Sequence, residues 1–147
     1  MAESGGTAAV LEAVLADKPD VLEHLTAAHE AAVAAVDPRL LELCGRRIAQ
    51  LLGSPGADTP AVVDGATVAA LPEWPTSDRF TATDRACLAF TEQFVIDVAT
   101  LDDATAFAVV EVLGDEGFAT FVNALLVVEQ RQRLHLVWSR LFPEVPS

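Results

Sequence analysis

Leu41-Glu42-Leu43-Cys44-Gly45-Arg46-Arg47-Ile48-Ala49-Gln50-Leu51-Leu52-Gly53-Ser54-Pro55-Gly56-Ala57 is the stretch on which the fold turns. Leu40, Leu41, Cys44, Ile48, Leu51 and Leu52 recur at helical spacing, so one face is apolar. Asp37-Pro38 supplies an N-cap followed by a proline in the first turn, and Gly53 supplies a C-terminal stop. The stretch predicts a helix that ends where Ser54-Pro55-Gly56 begins a loop. That loop lacks the lysine and the strand–loop–helix setting of a phosphate cradle.

The same punctuation organises the rest of the chain. Pro19 opens a helix to about Val36, with Leu22, Leu25, Ala28, His29, Ala32 and Val36 on one face. The stretch from Gly53 to Phe80 is rich in proline and glycine. Thr59-Pro60 is a start signal for a short helix there, and Leu71-Pro72-Glu73-Trp74-Pro75 reads as a rigid connector. Thr81-x-x-Asp84 has the pattern of a capping box for a helix to about Val98. Thr100-x-x-Asp103 repeats it for a helix that Gly114 stops. A long helix from about Glu116 to Leu141 follows. Arg131, Arg133 and Arg140 fall towards its C-terminal end, where the macrodipole favours cations, and Pro143 and Pro146 stop it. The expectation is all-α: one domain of five to seven helices over residues 19–147, preceded by a flexible segment, 1–18.

Composition agrees. The chain has 147 residues, enough for one domain with a real core, and 52% of them are apolar, mostly Ala, Leu and Val, with no Tyr. High hydropathy fits either an Ala-rich core or apolar surface covered by another subunit. The net charge of −13 argues against nucleic acid and against an anionic membrane surface. The apolar run Phe118 to Val128 is too short to span a bilayer. Met1 to Thr7 lack the basic and apolar regions of a secretory signal, and two cysteines imply no disulfide framework. A cytoplasmic protein with reduced thiols is expected.

Glu42, followed twelve and fifteen residues later by Ser54 and Ala57 and then by Ala61, resembles the core motif of the alkylhydroperoxidase D-like, or carboxymuconolactone decarboxylase, family. There the corresponding positions are Glu, the two cysteines of a Cys-x-x-Cys pair, and His. The likeness extends to the Ala-rich helix with His29, to Leu71-Pro72-Glu73-Trp74, to Phe80-Thr81-x-x-Asp84-Arg85-Ala86-x-Leu88-Ala89-Phe90, and to Asn123 and Arg133-Leu134 in the final helix. It covers roughly Leu22 to Leu141. The resemblance implies an alkylhydroperoxidase D-like bundle and a trimer, or a hexamer built from dimers.

In active peroxidases of that family a helix N-terminus holds the attacking thiolate, a Glu–His relay moves protons, and the second cysteine resolves the sulfenic acid. Ser54 cannot form a sulfenic acid, Ala57 cannot resolve one, and Ala61 removes the base. Pro55 and Pro60 also move the next helix start away from Ser54. Cys44 lies on the apolar stripe in mid-helix, and Cys87 lies on an apolar face with Leu88, Phe90 and Phe94, so both read as core. Glu42 either pairs with Arg46 on an exposed face or lines a vestigial pocket, with Cys44, Ser54 and Trp74 as further lining candidates. His24 and His29 are five apart and cannot form an i, i+4 metal pair, so neither a metal site nor a cofactor is expected.

Two functional classes follow. One is a peroxidase-inactive pseudoenzyme, an oligomeric scaffold or accessory subunit to a protein partner. Its interface would lie on the helix that is apolar all round, at Phe118, Val122 and Leu126. The alternative is a non-redox enzyme or binding protein, decarboxylase- or isomerase-like, holding a small organic molecule beside Glu42. Residual peroxiredoxin-type activity comes third.

Overall fold

Short-range signals set most of the helix ends. The computed structural model describes residues 2–143, with side chains from residue 6 onward. Six α-helices are present among them: α1 (Ala2–Val14), α2 (Pro19–Ala35), α3 (Pro38–Leu52), α4 (Gly65–Ala70), α5 (Ala82–Ile96) and α6 (Asp103–Leu141). Single 3-10 turns, Leu71–Glu73 and Val98–Thr100, precede α5 and α6. The all-α expectation holds. Asp37 accepts from the amides of Arg39 and Leu40 to start α3, and Gly53 ends it at φ 72°. Thr81 and Asp84 form a reciprocal capping box on α5.

Two boundaries differ from expectation. No helix starts at Thr59-Pro60; α4 begins after Asp64, whose carboxylate caps the amide of Thr67. Asp102, not Thr100, caps α6, because Thr100 is held in the preceding 3-10 turn. As expected, Gly114 breaks the helix: with φ 76° and ψ 170° it is not helical, and α6 is two helices that meet at a kink there. Pro146 lies outside the described residues.

The N-terminal segment needs a larger correction. Much of residues 1–18 is helix α1, packed along α6, and Thr7, Val10 and Leu11 are buried. Val10, Leu11, Val14 and Leu15 recur at helical spacing, but the residues before them are small and polar, so the apolar period spans little more than one turn. A docking face on α6 completes the helix, as is usual for weakly amphipathic segments.

Helix α6 is the axis of the bundle and contacts α1, α2, α3 and α5, while α3 also packs on α5. The core sits between α3, α5 and α6. Leu41, Leu43 and Ile48 come from α3, Leu88 and Phe90 from α5, and Phe121, Leu125 and Val128 from α6. Phe90 meets Phe118 edge-on at 5.5 Å and Phe121 at 6.0 Å. The face of α2 runs as expected at Ala32 and Val36, which are buried, but Ala28 is exposed. Loop 53–64 lies against α3 at Gly45, where a Cβ would come within 3.0 Å of the Ala57 carbonyl and the Thr59 methyl. Among the described residues, no helix is long and apolar enough to cross a membrane.

Candidate functional site

The motif positions do not assemble into a redox site. Glu42 is fully buried, so it is neither on an exposed face nor open to a pocket. The i, i+4 pair forms, with Arg46 Nε 2.6 Å from Glu42 Oε2. The other oxygen, Oε1, accepts from the amides of Val62 at 2.5 Å and Val63 at 2.7 Å. One helical carboxylate thus ties loop 53–64 to α3 through charge-assisted bonds. Ser54 Oγ is turned to the Gly56 carbonyl at 3.4 Å, and Ala61 is exposed. Ala57 is buried, its carbonyl accepting from Gln132 Nε2 at 3.1 Å.

Of the four proposed lining residues, Ser54 borders a shallow hollow of about 160 Å³ with Arg46, Gln50 and Val68. Glu42, Cys44 and Trp74 are taken up elsewhere. Trp74 Nε1 donates to Glu92 Oε1 at 2.8 Å, the same oxygen that Arg47 Nε approaches at 2.7 Å. Cys44 and Cys87 are both core, as expected. Burial, the main cause, pushes the Cys44 thiol well above its ordinary range. Burial, with the Asp84 charge adding to it, pushes Cys87 up to about 12. Neither supplies a thiolate near neutral pH.

A second cluster was not foreseen. Asp58, in loop 53–64, takes the left-handed conformation at φ 55° and is buried. Its carboxylate meets Arg131 of α6, with Nε 2.5 Å from Oδ2 and Nη2 3.4 Å from Oδ1. Its carbonyl accepts from His29 Nε2 of α2 at 2.7 Å, and that nitrogen lies 3.5 Å from Oδ2. Arg131 is therefore a buried ion-pair partner and not a cation decorating the end of α6. Beside it, Gln132 Nε2 donates to the carbonyls of Gly45 and Ala57, and His135 Nδ1 lies 2.9 Å from Thr7 Oγ1 on α1. Burial lowers the pKa of His135, opposed in part by the Asp58 charge. Arg131 Nη1, Gln132 Oε1, His135 Nε2 and Thr59 Oγ1 are buried without a protein partner.

One sequence signal could have flagged this cluster. Phe121, Leu125, Val128, Gln132 and His135 share one face of α6, so its buried stripe turns polar at the C-terminal end. Nothing local points to Asp58, which meets Arg131 across 73 residues.

The interface candidates divide. Phe118 is half-buried and packs on Phe90, Val122 is half-buried against the core, and Leu126 is half exposed. Among the described residues, no three His, Cys, Asp or Glu side chains converge as a metal site requires. Comparison with family models, curated proteins and solved structures finds no match for this chain.

Proposed function

We propose that the chain is a peroxidase-inactive, alkylhydroperoxidase D-like protein that acts by self-association, as a homo-oligomeric scaffold or accessory subunit. The observation that carries this is the set of large apolar side chains left uncovered on the second half of the molecule. Ile96, Val98, Phe107 and Leu141 are each more than half exposed, and Leu126 and Val137 are 50% exposed. Leu126 and Val137 are eleven residues apart, three turns of α6, and so lie on one side of it. Covering such residues by closed symmetric association is the common solution. A trimer, or a hexamer of dimers, is the assembly the family likeness implies, with the interface centred on Leu126 and away from Phe118. Two buried free thiols suit a reducing compartment such as the cytoplasm.

Chemistry beside Glu42 has less support, because Arg46 and two backbone amides already engage that carboxylate. Residual peroxidase activity has the least, with Ser54 and Ala57 at the cysteine positions. Light scattering at micromolar concentration tests the proposal. A multiple of 15.5 kDa is expected, reduced by Leu126→Asp with Val137→Asp; a monomeric mass for the unaltered chain refutes it. Hydroperoxide consumption with a dithiol reductant should stay at background. Turnover that vanishes in Cys44→Ser with Cys87→Ser would overturn the inactive assignment.

A further inference from the structure

We propose that the cavity between α1, α2 and α6 is a binding site for a small uncharged molecule whose carbonyl oxygen accepts a hydrogen bond from Arg131 Nη1. The cavity holds about 160 Å³ and is bordered by Leu11 and Leu22 as well as by Glu12, Glu30, Asp58 and Arg131. An apolar protein cavity of about 150 Å³ accommodates benzene, so the occupant has about six to eight heavy atoms.

The open donor decides the polar end of the ligand. The Arg131 side chain is 95% buried, and Asp58 takes one edge of its guanidinium, with Oδ2 2.5 Å from Nε and Oδ1 3.4 Å from Nη2. The fork of donors is planar and rigid, so the N–H groups of Nη1 fall outside that edge. Nη1 is itself buried and has no hydrogen-bond partner among the described residues. A buried donor left open carries a desolvation cost that an acceptor removes. The ion pair is held from the α2 side as well, where His29 Nε2 donates to the Asp58 carbonyl at 2.7 Å. The donor is thus positioned before a ligand arrives, which lowers the ordering cost of binding.

Charge sets the rest. Arginine has donors and no acceptor, so the matching ligand group must accept and need not donate. A carbonyl oxygen meets that requirement, whereas an ammonium offers only donors and leaves Nη1 unmet. A carboxylate also accepts, but Asp58 already neutralises this guanidinium, and a second anion would lie beside the first. The exposed carboxylates of Glu12 and Glu30 at the rim, on a chain of net charge −13, repel it further. Leu11, which is buried, and Leu22, which is half-buried, form the apolar wall for the hydrocarbon part. Water satisfies the same donor but covers none of that wall. A ketone does both, so displacing water by it gains affinity.

Compact ring compounds of nearly equal size test the assignment on the full chain: cyclohexanone, methylenecyclohexane, cyclohexylammonium and cyclohexanecarboxylate. Cyclohexanone and methylenecyclohexane differ only in the oxygen that accepts. NMR titration should give saturable shifts for cyclohexanone at Leu11, Asp58 and the Arg131 guanidinium, and its carbonyl stretch should move to lower wavenumber when bound. Methylenecyclohexane should bind at least about tenfold more weakly, the worth of one hydrogen bond from a charged donor. Neither ion should bind measurably. Arg131→Lys keeps a cation for Asp58 but has no Nη1, so it should remove the preference for cyclohexanone over methylenecyclohexane. Ala8→Phe, at the cavity wall, should abolish binding of both. If these variants unfold, the two uncharged probes on the unaltered chain decide alone. Non-saturating shifts, equal affinity for the uncharged probes or tighter binding of either ion overturns the proposal. So does a preference kept in folded Arg131→Lys, or binding that survives Ala8→Phe.

Discussion

Two buried carboxylates grip loop 53–64, and they do so with opposite degrees of completeness. Glu42 reaches from α3 into the loop and finds Arg46 and two consecutive backbone amides. Asp58 reaches from the loop to α6 and α2, where its neighbours are side chains with more polar atoms than the site can pair. Arg131 Nη1, Gln132 Oε1 and His135 Nε2 are left over. Backbone amides are fixed single donors, so a carboxylate that meets them is satisfied economically. Guanidinium, amide and imidazole groups carry several polar atoms each, and packing them together leaves remainders. The first region is a clamp; the second keeps the residual capacity that a ligand could use.

The largest effect should come from breaking the clamp. Glu42→Ala is expected to cost about 3–5 kcal/mol in urea unfolding, because it removes the acceptor of two backbone amides and one partner of Arg46. Adding Arg46→Met should recover little, since Val62 and Val63 still lack an acceptor. Substantial recovery would mean that the ion pair, and not the backbone bonds, holds the loop.

The Asp58 cluster should respond differently. Arg131→Met alone is expected to cost about 3 kcal/mol by leaving a buried carboxylate unpaired. Combined with Asp58→Asn, the loss should fall short of the sum of the single changes by more than about 1 kcal/mol, the signature of direct coupling. Simple additivity would show that the two residues do not stabilise each other.

A steric test separates the loop from its polar anchors. Gly45→Ala places a methyl against the Ala57 carbonyl and the Thr59 methyl and should cost about 1–3 kcal/mol. Gly65→Ala, which meets nothing within 4 Å, should be neutral or slightly stabilising. Equal behaviour of the two would show that the loop does not rest on α3.

The smallest effect concerns pH. Burial lowers the pKa of His135 in the folded chain, so the unfolded chain takes up a proton first as pH falls below the ordinary histidine value of about 6.5. The stability this group contributes is full above that value and declines as pH drops towards the folded pKa. His135→Gln should flatten that part of the stability profile. An unchanged profile would remove His135 from the pH response.

What was legible early was what neighbouring residues encode. The cap at Asp37-Pro38, the stop at Gly53 and the box at Thr81 and Asp84 each involve partners within four residues, so their geometry follows from local order. Cys44 and Cys87 were placed correctly in the core because helical periodicity reports burial. The i, i+4 pairing of Glu42 with Arg46 was readable for the same reason, yet its burial and its two amide bonds were not, since Val62 and Val63 lie about twenty residues away.

By itself the sequence determined an all-helical chain, most of its helix starts and stops, and the core placement of its two cysteines. Those features depend on local dihedral preferences and on the identity of single residues. Tertiary structure alone decided that α1 docks on α6, that Glu42 clamps a loop, and that His29, Asp58 and Arg131 meet around a cavity. Each of these joins groups far apart in the chain, and no periodicity or short-range hydrogen bond records which distant partner a buried charge will find.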